Sequence, residues 1–284
     1  MEFKPNLRFE FVEMLFALAI GQVGIEVGDL VIHKINFWDH PYIFTHLLLG
    51  TLIIALSWIG WKSSVARGNT ENVISIYSVQ FAILLVDLFL VICYFIIVKG
   101  AEIPFNSNNK AEINLSTYNL NTSSQSYWTI VIFIFYLIWD FLTKFLNQGV
   151  PLKLENKFKK NRPYDLKGFI SRAWQTSLCL ILAMAVYKLM GKANNSLQAC
   201  SVDLSLISIF FIFRSLKFKI NKENKLERSQ VPPSWLDDSV ISGANFPITI
   251  QDDSMTYRIK IIVAKFLPFI LLVSSFIVYF INKQ

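Results

Sequence analysis

The sequence predicts an all-α fold, a polytopic transmembrane helical bundle of about seven spans, and three observations predict it. Hydrophobic residues make up 54% of the chain and charged residues 17%, whereas a soluble domain is about 45–50% apolar and about 25% charged. The apolar residues gather into runs of about 20, the length that crosses a bilayer. Lys and Arg concentrate between those runs, mainly on alternate sides, which is how membrane proteins are oriented.

The runs lie near 10–32, 42–62, 74–98, 127–146, 169–190, 201–218 and 260–281. The first follows a short segment, Met1 to Arg8. It is too long for a signal-peptide core and no small-residue cleavage site follows it, so it reads as the first helix. The third and fifth contain Cys93 and Cys179, which read as small buried hydrophobes. Cys200 stands near a span end, and one loop thiol implies no disulfide framework. The sixth run is the weakest, being short, with Asp203 at its start and Arg214 near its end. A six-span protein with a re-entrant segment there is the alternative. Residues 1–221 thus form the bundle of six runs, 222–258 a cytoplasmic loop or small appendage, and 259–284 the final helix. The appendage region begins basic and continues through Pro232-Pro233-Ser234-Trp235 to the alternating piece Phe246 to Ile250. It is too short for an independent enzyme domain.

With the N-terminus in the cytoplasm, 21 of the 27 Lys and Arg residues fall at inner ends and loops. The other 6 are Lys34, Lys99, Lys110, Lys188, Lys192 and Lys283. This bias also accounts for the pI near 9.2, so no nucleic-acid partner is expected. The outer segment Gly100 to Ser126 carries Asn114-Leu115-Ser116 and Asn121-Thr122-Ser123. These read as glycosylation acceptors or as a solvated loop of a bacterial protein.

Polar groups inside spans are expensive to insert, so they are the informative residues. Gln22, Glu26 and Asp29 are spaced i, i+4, i+7 and share one face of the first helix. That stripe should face the bundle interior, a wet cavity or another subunit. It reads as a cation or proton path, or as hydrogen bonding between packed helices. Glu13 points roughly the other way, at the inner boundary, where Arg8 or another inner basic residue can pair with it. Gly24 and Gly28 form a small-xxx-small pair that permits close helix approach. Asp87 lies mid-span and is expected to be partnered across helices or protonated. Asp140 and Lys144, i and i+4, read as a structural pair. His33, His40 and His46 fall in one outer segment with Asp39. Such residues ligate metals, but their spacing fits no metal motif. No P-loop, dinucleotide fingerprint, nucleophile elbow or zinc helix is present, so no cofactor and no catalysis are expected.

The stretch Phe9 to Gln22 resembles the opening helix of the bacterial low temperature requirement A family, roughly Glu-Leu-Phe-Phe-Asp-Leu-Val-Phe-Val-x-Ala-Ile-x-Gln. Phe11, Phe16, Ala19, Ile20 and Gln22 agree, Glu13 stands for its Asp, and Phe9 departs from its first acidic position. Trp58, Gly60, Arg67, Thr70 and Glu71 match the end of the family's second helix and the turn after it. The resemblance covers about the first quarter of the chain. It implies a multi-pass bacterial membrane protein with no assigned reaction. A second resemblance, through Phe11, Glu13, Phe16 and Ala17, is to a bacterial potassium-channel family with a Phe-Ser-Asp first helix. It implies six spans and a tetramer.

The expected function is conduction or transport of a small ion or solute in a bacterial inner membrane, through Glu13, Gln22, Glu26, Asp29 and Asp87. The alternatives are a membrane-resident interaction or stress-response protein, and a membrane-perturbing effector. Expected partners are the lipid bilayer, further copies of the chain, and a cytoplasmic protein meeting the basic loops.

Overall fold

The computed structural model describes the backbone of residues 7–65, 77, 79–100, 122–143, 166–226 and 254–283, and most of their side chains. Within these residues there are seven helices and no strand: α1 Leu7–Ile32, α2 Pro41–Val65, α3 Val79–Lys99, α4 Thr122–Phe141, α5 Leu166–Met190, α6 Ser196–Leu226 and α7 Ser254–Ile281. Each coincides with one of the expected apolar runs. Five contain stretches long and apolar enough to cross a membrane: Phe11–Ile32, Pro41–Lys62, Val79–Lys99, Ala173–Met190 and Ser196–Lys217. The described apolar part of α7 is Phe266–Ile281, inside a helix of 28 residues.

The surface is that of a molecule dissolved in lipid. Leu18, Ile25, Ile181, Phe266, Ile270 and Val273 are exposed, while Asp87, Asp140, Gln175, Thr176, Asp203 and Ser208 are buried. A water-soluble bundle sorts these residue classes the other way, because apolar surface is driven from water. In lipid the polar groups must find partners inside.

Contacts between helix ends establish an up-and-down arrangement. At one end, the His46 end, Leu30 of α1 packs with Ile43 and Leu47 of α2. There also His46 of α2 bonds the Ile97 carbonyl of α3, and Thr122 of α4 donates to the carbonyl of Gly191, just past α5. Gln198 of α6 donates to the carbonyl of Asn282, just past α7. At the other end, the Lys62 end, Glu13 of α1 pairs with Lys62 of α2, and Asp140 of α4 with Lys217 of α6. Even-numbered helices therefore run from the His46 end to the Lys62 end, and odd-numbered ones run back.

α6 is the hub, packing on α2, α4, α5 and α7, while α1 packs chiefly on α3 and α2. This corrects the weight given to the sixth run. It belongs to the longest helix, of 31 residues, and 78% of its most apolar window is buried. Protein rather than lipid surrounds it, so its serines and charges find partners there. α4 begins at Thr122 rather than 127, because Thr122 and Ser126 are buried against neighbouring helices. The core between the ends is aromatic: Phe133 stacks on Phe210 at 5.1 Å, and Tyr136 on Phe213 at 5.0 Å. The sequons at Asn114 and Asn121, Lys144, and residues 227–253 lie outside the described residues.

Candidate functional site

α6 carries Asp203, Phe210, Arg214 and Lys217 at spacings of 7, 4 and 3, so they share one face. That face brings two polar clusters into the bundle, one at each end, with Phe133, Phe210 and Phe213 between them.

The cluster at the His46 end is built on His46 and Asp203, each 1% exposed. His46 sits one turn into α2, and its Nε2 lies 2.6 Å from the Ile97 carbonyl near the end of α3. Gly100 makes room for the ring: a Cβ there would lie 3.1 Å from Nε2. A carbonyl has no proton to offer, so Nε2 must be the N–H donor. In a neutral imidazole Nδ1 is then an acceptor. It faces Asp203 Oδ1 at 3.8 Å, also an acceptor when the carboxylate is ionised. The other carboxylate oxygen, Oδ2, is 2.9 Å from the Thr45 hydroxyl, which also lies 3.0 Å from the Tyr42 carbonyl. One hydroxyl hydrogen cannot serve both acceptors.

A single additional proton resolves one conflict or the other. Placed on Nδ1, it makes an imidazolium facing a carboxylate. Placed on Oδ2, it lets Asp203 donate to Thr45 and Thr45 donate to Tyr42. Nearby, Gln125 of α4 lies beside the imidazole, and Cys200 of α6 lies beside Thr45. Ser126 Oγ, Gln125 Oε1, His46 Nδ1 and Asp203 Oδ1 are all buried without a hydrogen-bond partner. Three of them, on His46, Asp203 and Gln125, belong to one cluster, which is unusual, since most buried polar atoms are paired.

The cluster at the Lys62 end is better satisfied. Asp140 accepts from Lys217 Nζ at 2.7 and 2.8 Å and from the Thr176 hydroxyl at 2.8 Å. The described cation on Asp140 thus comes from α6, while Lys144, its expected partner, lies outside the described residues. Ser57, Tyr136 and Tyr94 form a hydroxyl chain, at 2.6 Å and 3.1 Å. The Arg214 guanidinium packs directly on Gly60, where a Cβ would lie 2.5 Å from its nearest nitrogen.

The residues singled out from sequence divide between these settings and the bundle's edge. Glu13 pairs with Lys62, a basic residue of the same end. Gln22 donates its amide to Glu26 Oε1 at 2.6 Å, along the helix, and Glu26 is buried at 4% exposure. Asp29 is half-buried. Asp87, 5% exposed, accepts from the Trp139 indole of α4 at 3.1 Å, a cross-helix partner of the kind expected. His33 and His40 lie between α1 and α2 or at α1's end, separate in role from the buried His46. Among the described residues no three His, Cys, Asp or Glu side chains converge as a metal-binding group. Sequence reasoning missed the His46–Asp203 couple. The available signal was depth: both residues stand one to two turns from the start of helices that begin at the same end.

Comparison with known proteins finds no matching family model, no matching curated protein and no matching solved structure.

Proposed function

We propose that this multi-pass membrane protein moves a small ion or solute across the bilayer. In this reading the His46–Asp203 couple is a proton-binding site coupled to that movement. The observation that carries the reading is the pair of opposed acceptors, Nδ1 and Oδ1, buried at 3.8 Å within the membrane-crossing part of the bundle. Ionisable side chains at such depth mark proton relays and substrate paths more than packing alone. A couple that accommodates one more proton than a neutral imidazole and a free carboxylate can take it from one side of the membrane. The groups facing it from the surrounding helices are Thr45 of α2, Gln125 of α4 and Cys200 of α6. Of these only Cys200 titrates.

The aromatic plug of Phe133, Phe210 and Phe213 stands between the two polar clusters. Passage therefore requires helix movement rather than a standing pore, and the proton supplies a trigger for it. We assign the Lys62 end to the cytoplasm, following the excess of Lys and Arg there, and the bacterial inner membrane as the location. No catalysis is proposed. The resemblance to the low temperature requirement A family is kept as part of this proposal, because α1 holds Glu13 and Gln22 in the positions that carry it.

The test is proton flux into vesicles containing purified protein and an enclosed pH-sensitive dye, under an imposed pH gradient with the membrane potential clamped. The wild-type chain should dissipate the gradient, and Asp203→Asn and His46→Gln should slow it at least tenfold per folded molecule. Equal flux in wild-type, variant and protein-free vesicles would remove the proposal.

A further inference from the structure

We propose that Arg214, with the Ser57–Tyr136–Tyr94 hydroxyl chain, forms a binding site for a phosphate group at the Lys62 end of the bundle. Three observations carry it.

The first is the state of the guanidinium. Arg214 is half-buried in the packed part of α6, and among the described residues it has neither an ion-pair nor a hydrogen-bond partner. The described carboxylates of that end are engaged elsewhere: Glu13 by Lys62, Asp87 by Trp139, and Asp140 by Lys217 and Thr176. A guanidinium offers five N–H donors in a planar fork that matches oxyanions.

The second is the hydroxyl chain. Arg214 interacts electrostatically with the hydroxyls of Tyr136 and Tyr94. Three hydroxyls supply three O–H donors. Their two mutual bonds, Ser57 to Tyr136 and Tyr94 to Tyr136, use two. One donor is left for a guest. The site is thus rich in donors and poor in acceptors, which selects an anion. A planar carboxylate uses both its oxygens on the fork. A phosphate keeps a further oxygen for the hydroxyl.

The third is position. Gly60 lets the guanidinium lie against α2, since any Cβ there would lie 2.5–2.8 Å from three of its atoms. Arg214 stands three residues, about 4.5 Å of helix rise, before Lys217, which closes the apolar stretch of α6. That is headgroup depth. The phosphate can come from a lipid headgroup or from solution.

The test measures the thermal unfolding midpoint of the full chain in two arms. One compares vesicles of phosphatidylcholine with vesicles containing added phosphatidylglycerol. The other titrates inorganic phosphate against chloride at matched ionic strength, in a detergent without phosphate. A rise in midpoint in the first arm alone identifies the lipid source, and a rise in the second identifies a soluble phosphate. Arg214→Gln should weaken the responding arm about tenfold, the scale of a charge-assisted hydrogen bond. Gly60→Ala keeps every charge but pushes the flexible end of Arg214 off its seat, so it should fold normally and weaken the response to a similar degree. A wild-type chain insensitive in both arms overturns the site. So does a Gly60→Ala chain that responds like the wild type, because net positive charge would then explain the effect.

Discussion

Asp140 takes hydrogen bonds from Lys217 of α6 and Thr176 of α5 and is 1% exposed. Removing one partner from a buried ion pair leaves a bare charge and costs about 3–5 kcal/mol. Lys217→Met should therefore destabilise the chain by about 3 kcal/mol, read by denaturant unfolding in detergent. Adding Asp140→Leu to it should recover most of the loss, since the uncompensated carboxylate is then gone. A single variant as stable as wild type would show that Thr176 alone suffices. Sequence order points to Lys144 and not to Lys217, because i, i+4 neighbours are the only pairs a linear reading can see. Thr45 and Asp203, which share a hydrogen bond, are 158 positions apart, and nothing in the local pattern joins them. Residues whose partners lie on their own helix, such as Gln22 and Glu26, were legible. Residues whose partners come from the fold were legible only as polar groups awaiting one.

At the scale of elements, helix number and placement follow from apolar run length and from end signals. α1 closes in a Schellman motif: Ile35 N–H bonds the Leu30 carbonyl at 3.0 Å, and Lys34 N–H the Val31 carbonyl at 3.1 Å. Lys34 has φ 54°, in the left-handed region that glycine tolerates best. Lys34→Gly should raise stability by about 1 kcal/mol, seen as a higher unfolding midpoint; a lower one would mean the lysine side chain contributes more than its backbone strain. Gly191 ends α5 under the opposite constraint. A Cβ there would overlap the Tyr187 carbonyl oxygen, and that backbone atom cannot turn aside. Gly191→Ala should lose about 1–3 kcal/mol, the usual scale of forced overpacking. α6 begins with Asn195 accepting from Gln198 N–H at 2.9 Å, an N-cap placed six residues before the apolar run starts. Asp203 and Arg214 made this run look weak, because a central helix in a membrane protein is buried by protein and not by lipid. Its polar content marks its position rather than a failure to span.

For the whole molecule, alternation of helix direction places the last residues of α3 and of α4 at opposite ends of the bundle. Reporter fusions at Asn108 and Asn156 should thus report opposite sides of the membrane, and under the proposed orientation Asn156 is cytoplasmic. Finding both on one side would contradict the arrangement of α4. The central claim is that function resides on the buried face of α6 and not on the edge stripe of α1. The most direct test compares proton flux per folded molecule in vesicles for two variants, Asp203→Asn and the double variant Glu26→Gln with Asp29→Asn. The account predicts that Asp203→Asn reduces flux at least tenfold, while the α1 double variant stays within about twofold of wild type. The reverse order would return the site to α1, and unaltered flux in both would contradict a transport role for either.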